Sequence, residues 1–381
     1  MYIYRSKINF KSGFNLGGYG KAIDYSNNNG GDLEVHGVGF KGASGESVFE
    51  LCSIDALYAG DLARKNQQNS LKRIFVASHT HFAPMLDSEK PDLGIYSSEA
   101  VNLFNEAIEN SKKMEISINK CSIFRSSVSV PIYRRFDFPA SQINKCLTKH
   151  AGFYPNAMQK IDKSIYIFVF SFDNINKFCI VYHACHPVSR SNKHDISPDY
   201  IEAIRSAIFQ RFNIECCLFF LGCAGDIRPN YTKKRIPWLP ASRLNLRFNY
   251  SPSISEQNYV DKQYYNAIFF ASKLDEFNLT ELDFIVNSKK MNFDGVGDIE
   301  IPELIFKDKV KFMFFPFEVS HHYHMENRVI NSDENTFIVS CSNHTLGYLP
   351  HPYQHHFGGY EVDGSRKYNN LKNRVKLIGK L

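Results

Sequence analysis

The sequence predicts an α/β protein with mixed β-sheets flanked by helices. Compact apolar runs, such as Ile165 to Phe172, Phe178 to Tyr182 and Cys216 to Leu221, read as buried strands. A helical period from Asp199 to Phe212 lies between the last two, so strand, helix and strand follow one another as in a parallel crossover. Several strands run directly into loops that hold His, Asp, Glu or Tyr. That pattern gathers reactive side chains at strand ends, where α/β sheets place their sites.

Taken in order, Leu33 to Phe40 and Ser47 to Leu51 alternate like strands, with Gly- and Asn-rich loops before them. The run Gly17-Gly18-Tyr19-Gly20 is no phosphate loop, because no Gly-Lys-Ser/Thr follows. A short helix is expected from Asp61 to Asn69, then a buried strand Ile74 to Ala77 that opens into Ser78-His79-Thr80-His81. If that backbone stays extended, His79 and His81 share one face. Ser97 or Ser98 caps a helix to about Lys113, and strands follow near Ser117 to Val130. Pro198 suits a first helical position. Residues 231 to 255 read as a long polar loop around Trp238, and Glu256 to Leu274 as a helix. Strands are expected at Phe284 to Asn287, Val310 to Phe315 and Thr336 to Ser340, and the basic tail from Arg366 to Lys380 as a surface helix.

The bulk numbers exclude several classes. The 381 residues are 43% hydrophobic and 22% charged, which is ordinary for a globular chain. The net charge of +6 is spread along the chain, so nucleic-acid binding is not implied. Nine cysteines, with no Cys-x-x-Cys pair, read as reduced thiols. The N-terminus lacks a signal-peptide core, and no window is apolar enough to span a membrane. A cytoplasmic protein without a transmembrane segment is expected.

Four strand ends carry candidate metal ligands: His79 or His81, His183 or His186, Glu318, and the Asn343 to Tyr348 segment. His and carboxylate donors that leave one position open are the donor set of a catalytic zinc site. The His321-His322-Tyr323-His324 cluster and His355-His356 are read as loop histidines.

In several motifs, over roughly residues 10 to 365, the chain resembles the neutral (non-lysosomal) ceramidases. Ser78-His79-Thr80-His81 is similar to the family's Thr-His-Thr-His-Ser-Gly-Pro, and His186-Pro187 to its His-Pro-Thr. Ser197-Pro198-Asp199-Tyr200 follows its Ser-x-Asp-Tyr, and Gly225-Asp226-Ile227-Arg228-Pro229-Asn230 its Gly-Asp-Val-Ser-Pro-Asn. Phe315-Pro316-Phe317-Glu318 resembles its Pro-Gly-Glu, and Asn343 to Tyr360 its Asn-x4-Tyr…Tyr-Glu segment.

The resemblance implies a Zn2+ ion held by His79, His186, Glu318 and Tyr348. It places His81 and Tyr360 at the reacting carbonyl, and Arg134, Asp226 and Asn343 in the substrate pocket. It implies a zinc-dependent amidase; a single catalytic domain over 1–381 is expected, departing from full-length members by the lack of their C-terminal β-sandwich. The substrate is expected to be a small N-acylated molecule, either a ceramide-like lipid or an N-acylated amino sugar. One departure matters. Many family members have a serine with an assigned catalytic role where this chain has Arg228. Arginine is no nucleophile, so Arg228 is expected to bind the oxyanion or an anionic substrate group. The alternative is a chain that keeps the pocket without turnover.

Overall fold

The computed structural model of the chain describes residues 1–10, 13–20, 28–29, 31–41, 47–66, 72–136, 154–234, 238, 246–249, 252–280, 283–330, 334–367 and 375–378. Their architecture is mixed α/β, as the sequence predicts, and is built on three five-stranded sheets. The first has the spatial order Lys72–Ala77, Ser47–Ile54, Leu33–Lys41, Tyr2–Ile8, Met114–Glu115. The second runs Cys216–Leu221, Ile175–His183, Ser164–Phe172, Lys120–Ser127, Ser272–Asn278. The third runs Thr336–Val339, Val310–Phe314, Gly297–Phe306, Phe284–Asp294, Lys376–Ile378. In each sheet one outermost pair is parallel and the other pairs are antiparallel.

Helices cover one face of the first two sheets and the third sheet covers the other. Alternate residues of one strand therefore enter two different cores. Tyr2 and Tyr4 join a core with helices Ser98–Glu109, Ile201–Phe212 and Ile254–Phe269, while Ile3 faces the third sheet. The second of these cores is richer in phenylalanine than the first. Phe168 meets Phe312 and Phe337 edge-on at centroid distances of 5.2 Å each, and Phe220 meets Phe312 at 5.3 Å. Edge-to-face contacts of this kind add to the area that each ring buries.

The parallel edges are laced together by main-chain bonds. Ala77 N donates to Cys341 O at 3.1 Å, Ser340 N to Leu221 O at 2.7 Å, and Gly225 N to Val319 O at 2.9 Å. These bonds draw the ends of all three parallel pairs into one place.

Several expectations are corrected. The helix expected to reach Leu274 ends at Phe269, and Ser272–Asn278 instead pairs with Lys120–Ser127 as a sheet edge. The 231–255 loop contains a short antiparallel pair, Thr232–Lys234 with Leu246–Phe248. Pro198 does not open its helix. Asp199 turns into the left-handed region at φ 63° and the helix starts at Ile201. Of the tail, Arg366 and Lys367 end a helix and Lys376–Ile378 joins the third sheet as a strand, while residues 368–374 lie outside the described residues. Residues 67–69, the end of the first expected helix, lie outside the described residues. Ser97 does cap its helix, accepting from Ala100 N at 3.1 Å. No helix among the described residues is long and apolar enough to cross a membrane.

The first sheet depends on two glycines, Gly37 and Gly39, which face Tyr4 and Tyr2. Tyr4 faces Gly37 across the strand pair, and a Cβ on Gly37 would lie 2.0 Å from the Tyr4 ring. The ring cannot swing away easily, because its hydroxyl donates to buried Glu50 at 2.8 Å. Gly37→Ala should therefore cost about 1–3 kcal/mol by overpacking, and a second change, Tyr4→Leu, should recover part of the loss. Urea denaturation of the single and double variants measures this. A Gly37→Ala midpoint equal to wild type would mean the ring is not seated there.

Candidate metal centre

His79 follows the strand Lys72–Ala77, His186 follows Ile175–His183, Glu318 follows Val310–Phe314, and Tyr348 follows Thr336–Val339. All four lie beyond the C-terminal ends of parallel strands. Glu318 and Tyr348 are register partners in a short parallel pair, which sets their side chains next to each other.

The approach of His79 and His81 does not come from strand alternation. His79 leaves the extended conformation with φ 65°. That is a strained conformation for a residue with a Cβ, and such strain tends to occur at sites. The two rings meet nearly perpendicular at 5.1 Å, and His186 lies 4.8 Å from His79 and 5.9 Å from His81. One ring nitrogen from each of the three falls within 4.8 Å of the others.

Backbone carbonyls fix the tautomers. His79 Nδ1 lies 3.0 Å from Leu57 O, and His186 Nδ1 lies 2.9 Å from Ile227 O. A carbonyl only accepts, so both Nδ1 atoms carry the proton and both Nε2 atoms present lone pairs. Each Nε2 sits 3.2 Å from the same oxygen, Glu318 Oε2. Two ring nitrogens facing one carboxylate oxygen form a group of three donor atoms that a metal ion would satisfy together. Donors about 2.0–2.2 Å from one tetrahedral centre stand about 3.3–3.6 Å apart, close to the spacing seen. Glu318 Oε1 is held by the Tyr58 hydroxyl at 2.5 Å. Both ring nitrogens of His81 are buried and have no partner among the described residues.

The electrostatics follow from this crowding. Burial opposes a charge on His79, but the Cys341 sulfur and the Glu318 carboxylate hold its pKa well above the usual imidazole value. Burial would raise Glu318, yet His79 and then His186 hold it well below the ordinary carboxylate range. Burial, then His79 and His186, push His81 well down. Burial and the Arg134 guanidinium bring His186 down to about 4. The Tyr348 phenol is pushed well up by burial and by Glu318.

Arg134 spans this cluster. Its Nη1 lies 3.2 Å from His186 Nε2, and its Nη2 donates to Gly225 O at 2.6 Å and to the Tyr348 hydroxyl at 3.2 Å. It also sits over the rings of Tyr348 and Tyr360, which are 5.6 Å apart. Glu361 accepts from Arg134 Nε at 2.8 Å and from Arg135 Nη1 at 2.7 Å, and so holds both arginines in a buried position.

Two expected residues, Asp226 and Asn343, are engaged differently. The Asp226 carboxylate is taken by Ser320, by the His321 backbone and ring, and by Gln354. Asn343 Oδ1 accepts from Phe75 N at 2.9 Å and clamps a strand. Arg228 is buried with its guanidinium 4.6 Å over the Phe248 ring.

The sequence reading missed Tyr58, Glu361 and the glycine loop. Gly18, at φ 92°, lies so close that a Cβ there would be 2.2 Å from His81 Nδ1. Tyr19 then packs edge-on against His81 at 5.1 Å. The run Gly17-Gly18-Tyr19-Gly20 is the signal that could have found this loop, because a backbone pressed against an imidazole has no room for a side chain.

No protein-family model matches the sequence, and no curated protein matches it. Solved structures do match. The neutral ceramidase from Pseudomonas aeruginosa is similar with a TM-score of 0.63 and 11% identity, over 98% of this chain and 71% of that one. A ceramidase complexed with C2 gives 0.59 and 10%, over 98% and 72%. This chain has a ceramidase-like fold. At such identity the likeness is one of fold. Within that fold, the His79, His81 and His186 group, which could hold a metal ion, gathers where the parallel strands end.

His183, the neighbour that the sequence left open, belongs to the core. It is fully buried between Ser164 O at 2.9 Å and the Tyr264 hydroxyl at 3.1 Å. Burial lowers its pKa from 6.5 to about 4. The unfolded chain therefore takes a proton below about 6.5 that the folded chain refuses until about 4. The stability from this neutral histidine is complete above that window and falls as pH drops through it, by about 1.4 kcal/mol per pH unit. Denaturation between pH 4 and 7 should show that slope in wild type and a shallower one in His183→Asn. Identical slopes would remove His183 from the account.

Proposed function

We propose that the chain is a zinc-dependent amide hydrolase that cleaves the N-acyl bond of a ceramide-like lipid or an N-acylated amino sugar. The observation that carries this reading is the pair of anchored imidazole lone pairs meeting one buried carboxylate oxygen at 3.2 Å each. We assign His79, His186, Glu318 and Tyr348 as the ligands, a donor set that suits zinc. Zinc held there would supply a water acidified toward neutrality and polarise the acyl carbonyl. His81 accepts the proton of the attacking water and returns it to the leaving amine. The Tyr360 hydroxyl donates to the oxyanion as the carbonyl carbon becomes tetrahedral. Arg134, 3.2 Å from the Tyr348 oxygen, favours the ionised phenol that a ligand must be. Arg228 is assigned to an anionic group of the substrate.

The chain is read as a single catalytic domain over 1–381 that works in the cytoplasm. All eight described cysteines are free and buried, which suits a reducing compartment. The second reading, a binding protein without turnover, is favoured by one observation. Arg228 stands where many ceramidases have serine, and its guanidinium lies against Phe248.

Plasma emission spectroscopy on tag-free protein tests the ligand assignment. His79→Ala should lose one equivalent of zinc per chain relative to wild type, and an unchanged zinc content would remove His79 from the ligand set. On a panel of N-acyl substrates, Tyr360→Phe should keep its zinc and lose about 10²–10³ in kcat. Full zinc with no turnover by wild type on any of them would select the binding-protein reading.

A further inference from the structure

The turn after the strand Ser47–Ile54 holds two of the assigned ligands at once. Ala56 O accepts from His79 N at 2.9 Å, and Leu57 O lies 3.0 Å from His79 Nδ1. The next residue, Tyr58, reaches the loop of the third sheet, where its hydroxyl donates to Glu318 Oε1 at 2.5 Å. Three consecutive residues therefore set the backbone and ring of one ligand and the carboxylate of another. The turn is itself fixed, because the Asp55 carboxylate accepts from Arg205 Nη2 at 3.0 Å and from Glu34 N at 2.9 Å.

Tyr58 has little freedom to do anything else. It is 3% exposed, and its ring centroid lies 5.3 Å from that of His79. Glu318 is buried as well, so neither partner can exchange this bond for one to bulk water. The consequence falls on how the carboxylate can bind. A carboxylate holds an ion through one oxygen or through both. Here Oε2 faces His79 Nε2 and His186 Nε2 at 3.2 Å each, while Oε1 is committed to the phenol. Tyr58 lies outside every sequence stretch that carries the resemblance to the ceramidases.

We infer that Tyr58 is a positioning residue for the metal centre: it restricts Glu318 to binding through Oε2 and so keeps one position on the ion open for water. The inference rests on the ligand assignment proposed above. An open position is what separates a catalytic zinc site from a structural one, and hydrogen bonds to the ligands are how proteins tune such sites. Without the phenol, Oε1 would be a buried acceptor with no donor, and the ion beside Oε2 is the positive centre it would turn to.

Cobalt(II) titration of the full-length, tag-free chain tests this, because cobalt reports its coordination number in the visible without any substrate. Its absorption there is strong at low coordination number and weakens as donors are added. Wild type should give the strong band. Tyr58→Phe keeps the ring and loses only the hydroxyl. It should still bind one equivalent of cobalt but lose most of that absorption, as Glu318 closes on the ion through both oxygens. Circular dichroism checks that the variant is folded. A wild-type crystal grown with zinc needs no variant, and should show Glu318 Oε2 alone on the ion with Oε1 still on the Tyr58 hydroxyl. Folded Tyr58→Phe with the wild-type spectrum, or a crystal with both Glu318 oxygens on the ion, overturns the inference and leaves the ligand assignment standing. No cobalt bound by wild type overturns the ligand assignment and this inference with it.

Discussion

Three donor atoms with one cation's worth of space between them are the constraint on which this structure turns. His79 and His186 are each held by a backbone carbonyl, so neither ring can rotate its Nε2 away from Glu318 without losing a buried bond. Tyr58 holds the other oxygen of Glu318. The cluster is therefore locked with both rings against one carboxylate oxygen, which favours a positive charge there, whether a proton on His79 or a metal ion. Arg134 is the positive group at its edge, and its own charge is kept in place by Glu361. Neutralising that crowding is what a metal ion would do.

The architecture explains how residues so far apart in sequence come to face one another. Each sheet contributes its parallel edge, and each parallel edge delivers a loop. His79 comes from the first sheet, His186 from the second, and Glu318 and Tyr348 from the third. Ladder bonds between these edges leave the loops little freedom. The aromatic core between the first two sheets and the third acts at longer range, because it fixes how the third sheet sits on the others.

The loops after the parallel edges serve more than one purpose. Asp226 comes from the same turn that orients His186, yet its carboxylate is turned to the histidines that follow Glu318. Asn343, from the segment leading to Tyr348, closes a strand by bonding Phe75. In both cases a motif residue that looks like pocket lining instead shapes the loops that carry the donors. Arg228 lies one step further along the Asp226 turn, stacked on an aromatic ring.

Local pattern alone determined most of the buried strands, because strands of five to nine residues leave a continuous apolar signature that needs no partner to be read, but it took the edge strands Ser272–Asn278 and Lys376–Ile378 for helix. It also determined that histidines and acids would stand just past strand ends, and the parallel crossover from Ile175 to Leu221. What only the tertiary structure decided was which of those residues meet. His79 and His81 approach through a left-handed turn rather than through strand alternation, a backbone choice invisible in residue type. Gly18 shows its purpose only once His81 is packed on it. Tyr58, Glu361 and the Asp226–His321 pair depend on contacts across tens to hundreds of residues, and a linear pattern carries no term for distance in space.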